Sequence, residues 1–355
     1  MHRQKTFLLA GLAALIASCA TSAQSDARTA RPEPAATGFG SQTPTPVLTP
    51  ELEDKILALN PEQVTEHDLR EVLAHAPAPR IIMLQGGLLP VQVAMKSFSR
   101  FIIGMGYPER CARNPVDGHY SHSSFRDSGK IAGLIAGYYE QVGLRPMLLG
   151  HSLGGMQAVK VLQLLAGESA APPVVWNPQT EKPEARHEIL DPLTGRSRAV
   201  TNLQVCYATT LASGGFGRVI PHQWSMNGRL RKIPDSVEEF TGFSIRLDFF
   251  GGDYLGYGSA NLFLATGTAR VRNLRLPTGV NHWTVPVTEN LLQDQPAQDW
   301  INHYTPDATP GTPDPAFQDN AHVLWAAEVW HSIKRHWVRE LQTLIRARRA
   351  ARHDP

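Results

Sequence analysis

A strand, a serine between glycines and a helix follow one another directly between residues 145 and 167, and this order limits the possible folds more than any other feature. The stretch RPMLLGHSLGG begins with the apolar residues of a strand and ends in small residues. The residues after the serine, LGGMQAVKVLQLLAG, have apolar positions at helical spacing. A strand that passes into a helix through a tight turn is the building unit of a parallel α/β sheet.

Ser152 lies in this turn, within the pattern Gly-x-Ser-x-Gly. A serine at such an elbow projects from the sheet edge on a strained backbone, so the residues two positions away must be very small. Gly150 and Gly154 meet that demand, and His151 completes the elbow. The N-terminus of the following helix offers free N–H groups to developing negative charge. The pattern predicts a nucleophile; the alternative is a serine that only caps the helix.

The alternation of strands and helices continues on both sides of this unit. Residues 80–84 are apolar and strand-like, and a glycine-rich turn follows them. Helices are predicted at about residues 51–76, 91–103, 124–142 and 320–352. Candidate caps are Asn60 and Thr65 in the first helix, Ser123 or Ser124 at the start of the third and Gly143 at its end. The predicted fold class is α/β.

Composition and charge exclude several classes of function. With 355 residues, of which 42% are hydrophobic and 19% charged, the chain can bury a full core. Its 34 Lys and Arg residues nearly balance 32 Asp and Glu residues, for a net charge of +2. Such a balance does not indicate a nucleic-acid partner, because phosphate binding needs a clear excess of positive charge.

The N-terminus has the features of an export signal. MHRQK supplies two fixed positive charges, and TFLLAGLAALIA is an apolar run too short to span a bilayer. Residues 1–18 are therefore predicted to be a signal peptide, and the sequence before Cys19 resembles a bacterial lipobox, which predicts lipidation of that cysteine. The alternative is ordinary cleavage after Ala23. Residues 19–50, rich in Ala, Thr, Ser and Pro, are predicted to be a flexible tether.

This export signal predicts a protein held at the periplasmic side of the outer membrane or at the cell surface; the alternative is a soluble periplasmic or secreted protein. Once Cys19 carries lipid, Cys111 and Cys206 remain, and an oxidising compartment would permit a disulfide between them. For Cys206, in the apolar run LQVCYATTL, a buried free thiol is the simpler interpretation.

Three features indicate one family: the stretch GHSLGG, the upstream LQGGLLP and the order of the residues that follow. On this basis the chain resembles the lipase and esterase branch of the α/β-hydrolase superfamily over residues 79–290. The resemblance implies one domain over residues 51–355, with a mainly parallel sheet, helices on both faces and inserted cap segments. It implies a Ser, acid, His order, no cofactor or metal, and two backbone oxyanion donors, Leu153 and Gly87, with Leu88 as the fallback. Many family members have His-Gly at the upstream turn, where this chain has Gln85-Gly86.

The resemblance places the general base in a loop after the last strand. His282 follows a strand-like alternation and a Pro-Thr-Gly turn, which makes it the favoured candidate among 14 histidines. The others fit less well: His331 and His336 lie in a helical segment, His303 and His322 lack a preceding strand, and His151 leaves the elbow at an unsuitable angle.

The acid that orients this histidine has two candidates in FSIRLDFFGGDYLG, namely Asp253 and Asp248. Asp253 is favoured because a strand followed by Gly-Gly would place it in a loop at the carboxyl edge of the sheet. Asp248 is the fallback, because it lies within an apolar run, where an unpaired carboxylate costs several kcal/mol unless His282 holds it.

Two longer stretches, about residues 170–203 and 214–243, are predicted cap insertions over the pocket; the alternative is that both are surface loops. The first is polar and lacks the apolar face of an interfacial lid. The basic C-terminal helix has two interpretations, contact with anionic lipid or simple packing on the sheet, and packing is favoured.

These residues predict a serine hydrolase that cleaves carboxylic esters, with a small-molecule or lipid ester as substrate. Two alternatives stay open at this stage: a catalytically silent lipoprotein that binds a ligand, and an acyltransferase that uses the same triad.

Overall fold

The computed structural model describes residues 46–87, 89–169, 171–213, 225–253, 262–277, 281–306 and 321–353. These residues all belong to one compact unit, Thr45–Pro355. The predicted signal peptide, Cys19 and the predicted tether up to residue 45 lie outside the described residues, as does Leu88.

The helices and strands alternate in the order that the sequence predicts. The α-helices are α1 Pro50–Ala58, α2 Glu66–Glu71, α3 Leu89–Gly104, α4 Glu109–Ala112, α5 Ser128–Val142, α6 Leu153–Leu165, α7 Gln295–His303 and α8 Ala321–His353. Short 3-10 turns lie at Pro61–Gln63, Leu73–His75 and Glu289–Gln293. The strands are β1 Ile81–Leu84, β2 Met147–His151, β3 Trp176–Asn177, β4 Lys182–Pro183, β5 Glu188–Leu190, β6 Ser197–Ala199, β7 Val205–Leu211, β8 Lys232–Ile233, β9 Val237–Ile245, β10 Leu264–Ala265 and β11 Arg270–Leu276.

Five strands form the central sheet in the order β1-β2-β7-β9-β11, and every pairing between neighbours is parallel. The strand β2 lies between β1 and β7. Because parallel strands end at the same edge, the loops after β2, β9 and β11 share the carboxyl edge of the sheet, where α/β folds hold their ligands.

Both faces of the sheet are covered by helices. Along β1, Ile81 and Met83 face a core formed with α3 and α8, whereas Ile82 and Leu84 face a second core formed with α5 and α6. The strand is buried at every position, as expected of a parallel sheet between two helical layers. The predicted α/β class and the mainly parallel sheet between helices are confirmed.

Helix ends follow the chemistry of their caps. Thr65 and Asp68 form a capping box, in which the Thr65 side chain accepts from the Asp68 N–H and the Asp68 side chain accepts from the Thr65 N–H. Gly143 ends α5 in the left-handed conformation at φ 77°. The start of α5 differs from the prediction, because Asp127 rather than Ser123 or Ser124 caps it by accepting from the Gly129 N–H.

The first predicted insertion, about residues 170–203, contains two small antiparallel hairpins, β3-β4 and β5-β6. Glu181, in the β3-β4 turn, accepts hydrogen bonds from Asn114 (2.7 Å), Arg126 (3.0 Å) and Lys130 (2.5 Å). Burial alone would raise the pKa of Glu181, but these three partners lower it to about 2. The hairpin is thereby fixed to the segment that precedes α5.

The second predicted insertion is shorter than its predicted range of residues 214–243. Residues 214–224 lie outside the described part of the chain, and the strand β9 already begins at Val237. The boundary was wrong because the first residue of β9 is followed by the charged pair Glu238 and Glu239, a pattern typical of surface, although the strand lies between two neighbours in the sheet. Glu239 is buried there and pairs with Arg335 of α8.

The C-terminal helix α8 packs on the sheet. Trp337 is fully buried, contacts the Tyr107 ring edge to face at 5.0 Å, and donates its indole N–H to Pro77 O at 2.8 Å. Near the end of α8, Arg349 pairs with Glu53 and Asp54 of α1. These contacts agree with the packing interpretation of the basic helix. Among the described residues, no helix has both the length and the apolar character needed to cross a membrane.

Cys111 and Cys206 are both free thiols, so the disulfide that the sequence permits is not formed. Cys206 is fully buried in β7, and its thiol contacts Arg145 O at 3.1 Å. Burial raises the pKa of both thiols, which keeps them protonated and unreactive.

Candidate active site

Ser152 occupies the turn between β2 and α6 in a strained backbone conformation, φ 56° and ψ −123°. Few residues other than glycine adopt a positive φ, and such strain persists only where the surroundings impose it. The Ser152 N–H donates to Leu211 O of β7 at 2.9 Å, which fixes the turn to the neighbouring strand. The Ser152 side chain makes no capping bond to α6, so the alternative of a helix-capping serine is not supported.

Gly150 and Gly154 leave no space for a side chain. A Cβ atom on Gly150 would lie 2.5 Å from Gly154 O, and one on Gly154 would lie 2.2 Å from Leu84 O. Both distances are far below van der Waals contact with main-chain atoms that have no freedom to move. The predicted requirement for glycine on both sides of the serine is confirmed at these two positions.

His282 lies within hydrogen-bond distance of Ser152, although 130 residues separate them in the sequence. The Ser152 Oγ to His282 Nε2 distance is 2.8 Å, and His282 Nδ1 lies 2.7 Å from Asp248 Oδ2. An ionised carboxylate only accepts hydrogen bonds, so Nδ1 carries the proton and Nε2 is left to accept the serine hydroxyl. His282 and Asp248 are nearly fully buried, at 4% and 7% exposure, while Ser152 is half-buried.

The acid beside His282 is Asp248, the fallback candidate; the favoured candidate, Asp253, makes other contacts. The strand β9 ends at Ile245, which places Asp248 in the turn beyond the strand, where its Oδ1 accepts from the Gly251 N–H at 2.9 Å. Asp253 instead accepts from the Leu247 N–H at 3.3 Å and pairs with Arg275 at 3.5 Å. It supports the loop that holds Asp248, because its own N–H donates to Asp248 O at 2.9 Å.

The two predicted oxyanion donors lie next to each other. A Cβ atom on Gly87 would lie 3.2 Å from Leu153 Cδ2 and 3.3 Å from the ring of Phe125. Gln85 accepts a hydrogen bond from the Ser121 hydroxyl at 2.7 Å, and its N–H donates to His122 O at 3.0 Å. The turn after β1 is therefore held by the segment around residue 122.

Aromatic rings surround the His282 imidazole. Its ring centroid lies 4.9 Å from those of His151 and Trp283 and 5.8 Å from that of Phe250. His151 is fully buried, and no sequence pattern indicates its contact with His282, because the two residues are 131 positions apart in the chain. Burial, followed by the charge that His282 can carry, lowers the pKa of His151 well below its ordinary value. His151 is therefore neutral near pH 7.

The remaining histidine candidates lie elsewhere in the fold. His336 of α8 lies against Glu239 at the beginning of β9, and His331 of the same helix is buried near Tyr304. His303 ends α7 and contacts Asp299 O of its own helix. Within the described ranges, no group of three or more His, Cys, Asp or Glu side chains has the arrangement of a metal site.

Comparisons with known proteins return no matching family model, no similar curated protein and no similar solved structure.

Proposed function

We propose that this protein is a serine hydrolase of the α/β-hydrolase type that cleaves carboxylic esters through an acyl-enzyme on Ser152. The observation that carries the proposal is the chain of two short hydrogen bonds, from Ser152 to His282 and from His282 to Asp248. A serine, a histidine and a carboxylate in this order are the groups that nucleophilic acyl transfer requires. The strained elbow supports the same proposal, since strain of this kind clusters at active sites.

The geometry supports the following reaction. His282 Nε2 takes the proton of Ser152 Oγ as that oxygen attacks the ester carbonyl carbon, and the carbonyl oxygen becomes an oxyanion near the Leu153 and Gly87 N–H groups. When the carbon–oxygen bond to the alcohol breaks, His282 returns its proton to the leaving alkoxide. A water molecule then gives a proton to His282 as its oxygen attacks the acyl carbon. When the bond from that carbon to Ser152 Oγ breaks, His282 returns the proton to Oγ, which releases the acid and restores the serine and the neutral imidazole. Asp248 keeps the proton on Nδ1 and stabilises the imidazolium.

The surroundings of the triad support an ester with an apolar group. Leu247 and Phe249, on either side of Asp248, are 64% and 41% exposed, and Phe125 beside Gly87 is 39% exposed. Trp283 and Phe250 lie next to His282. Exposed apolar side chains gathered at one edge of a sheet favour an apolar ligand there.

The experiment is hydrolysis of a series of nitrophenyl esters with acyl chains of increasing length, by the wild-type chain and by Ser152→Ala. We expect the wild type to hydrolyse the esters, with kcat/KM rising from acetate to longer chains, and the variant to lose about 10⁴-fold or more in turnover. Equal rates for the two proteins, or no turnover of any ester by the wild type, would contradict the proposal.

We further propose that the chain is exported and carries lipid on Cys19, as the lipobox-like sequence at residues 16–19 indicates. Metabolic labelling with radioactive palmitate should mark the wild type and not Cys19→Ala. Label retained by the variant, or absent from both, would exclude an anchor at this cysteine.

A further inference from the structure

His151 is a buried imidazole whose polar atoms have no hydrogen-bond partner. Its side chain is fully inaccessible to solvent, and within the described residues neither Nδ1 nor Nε2 makes a hydrogen bond. Each buried polar atom without a partner destabilises the fold relative to an apolar side chain of similar shape. A phenylalanine would fill the same space without this cost, so packing alone does not explain a histidine here.

The ring of His151 lies against the catalytic imidazole. The two ring centroids are 4.9 Å apart, with 38° between the ring planes. The main chain of His282 also approaches the His151 ring and favours its protonated form, although without the geometry of a hydrogen bond. Since His151 is the last residue of β2 and precedes Ser152, one strand end presents the nucleophile and also contacts its base.

We propose that His151 is a positioning residue that orients the His282 imidazole toward Ser152. The His151 ring also lies beside the His282 imidazole while that imidazole carries the transferred proton. The proposal rests on the proposed hydrolase function. The dipole of a neutral imidazole, which a phenyl ring lacks, stabilises a buried imidazolium beside it. The His151 ring also limits rotation of the His282 side chain. The hydrogen bonds from His282 to Ser152 and to Asp248 both depend on the orientation of the His282 ring plane.

The neutral state of His151 is necessary to this role. A second positive charge 4.9 Å from the imidazolium would oppose proton transfer from Ser152. Full burial keeps His151 uncharged, so the proton accepted from Ser152 stays on His282. His151 therefore contributes as a dipole rather than as a second base.

The test compares His151→Phe, His151→Gln and a matched control, Leu149→Ala. Leu149 lies two residues earlier on the same face of β2 and is equally buried, but it belongs to the core under the sheet. For His151→Phe we expect an unchanged or raised melting temperature, an unchanged KM and a kcat lowered on the order of 10- to 100-fold. His151→Gln, which keeps a polar N–H, should recover part of this loss.

The pH profile separates a positioning residue from a second base. His151 is neutral in the wild type and stabilises the protonated form of His282, so the acidic limb of kcat/KM should persist in His151→Phe but move to lower pH. Leu149→Ala should lower the melting temperature while the surviving folded fraction keeps its kcat.

A kcat of His151→Phe within about twofold of wild type would overturn this inference and leave the hydrolase proposal intact. A change that small is below the loss expected when a base is misplaced. An acidic limb that stays at the wild-type pH, moves to higher pH or disappears in the variant would also overturn it. A wild-type protein with no esterase activity would overturn the hydrolase proposal and, with it, this role for His151.

Discussion

Asparagine substitutions at Asp248 and Asp253 should separate the two acids clearly. In the wild type, Asp248 Oδ1 accepts from the Gly251 N–H at 2.9 Å and Oδ2 accepts from His282 Nδ1–H at 2.7 Å. An asparagine has only one carbonyl oxygen to serve these two donors. The Gly251 N–H can only donate, whereas the His282 ring can move its proton from Nδ1 to Nε2. The amide oxygen of the asparagine should therefore face Gly251, and its NH₂ group should face His282.

An NH₂ group opposite Nδ1 forces the His282 proton onto Nε2, where it prevents acceptance of the Ser152 proton. We therefore expect kcat of Asp248→Asn to fall about 10⁴-fold, equivalent to about 5 kcal/mol of transition-state stabilisation. Asp253→Asn keeps a carbonyl oxygen that can accept from the Leu247 N–H and loses the charge that pairs with half-exposed Arg275, so it should change kcat by less than about tenfold.

The assay is steady-state hydrolysis of a nitrophenyl ester, with thermal unfolding measured on the same samples to show that both variants are folded. The reasoning would be refuted if Asp253→Asn lost the larger share of activity. It would also be refuted if Asp248→Asn kept a kcat within tenfold of wild type, since the tautomer argument requires a much larger loss.

Three further substitutions, with Gly195→Ala as a control for the first, test the fold. Gly154→Ala places a methyl group 2.2 Å from Leu84 O, so thermal unfolding should show little folded protein. Gly195 has open space around it and φ 66°, so Gly195→Ala should lower the free energy of unfolding by only about 1 kcal/mol and keep its activity. Trp337→Ala should lower the free energy of unfolding in urea by about 3 to 5 kcal/mol; a loss below 1 kcal/mol would contradict the packing of α8. For Glu181, whose pKa is lowered to about 2, the contribution to stability is present above pH 4.5 and is lost as the pH falls toward 2. Glu181→Gln should therefore be less stable than wild type at pH 7 by about 1 to 2 kcal/mol, allowing for solvent screening, and the difference should vanish in urea titrations near pH 2.

The sequence alone predicts the elbow well because its determinants are local. The strand, the two glycines and the following helix are contiguous, and the space that each glycine must leave is set by atoms within the same turn or in the adjoining strand β1. His282 was also predictable, because the turn after a strand-like alternation places it at the carboxyl edge of the sheet.

The acid beside His282 was not predictable in the same way, because the end of β9 is set by its pairing with β11. The last pair joins Ile245 to Leu276, although the apolar character of the sequence continues through Leu247 and Phe249. Those two side chains are exposed at the site rather than buried in the strand. Hydrophobicity there marks the surface of the candidate site, and it was mistaken for the interior of a strand.

The contact between His151 and His282 also depends on tertiary structure. Nothing in the residues around position 151 indicates which loop will cover that strand end. Only the sheet order, which places β2 beside β7 and β9 beside β11, brings the loop of His282 over the end of β2.

Reaction with a fluorophosphonate probe, followed by peptide mapping, tests the nucleophile most directly. We expect one phosphonylated residue, Ser152, in the wild-type chain, and labelling slowed by several orders of magnitude in His282→Ala because the base that accepts the Ser152 proton is removed. An adduct on any other residue, or labelling that His282→Ala leaves unchanged, would contradict a nucleophilic Ser152 activated by His282.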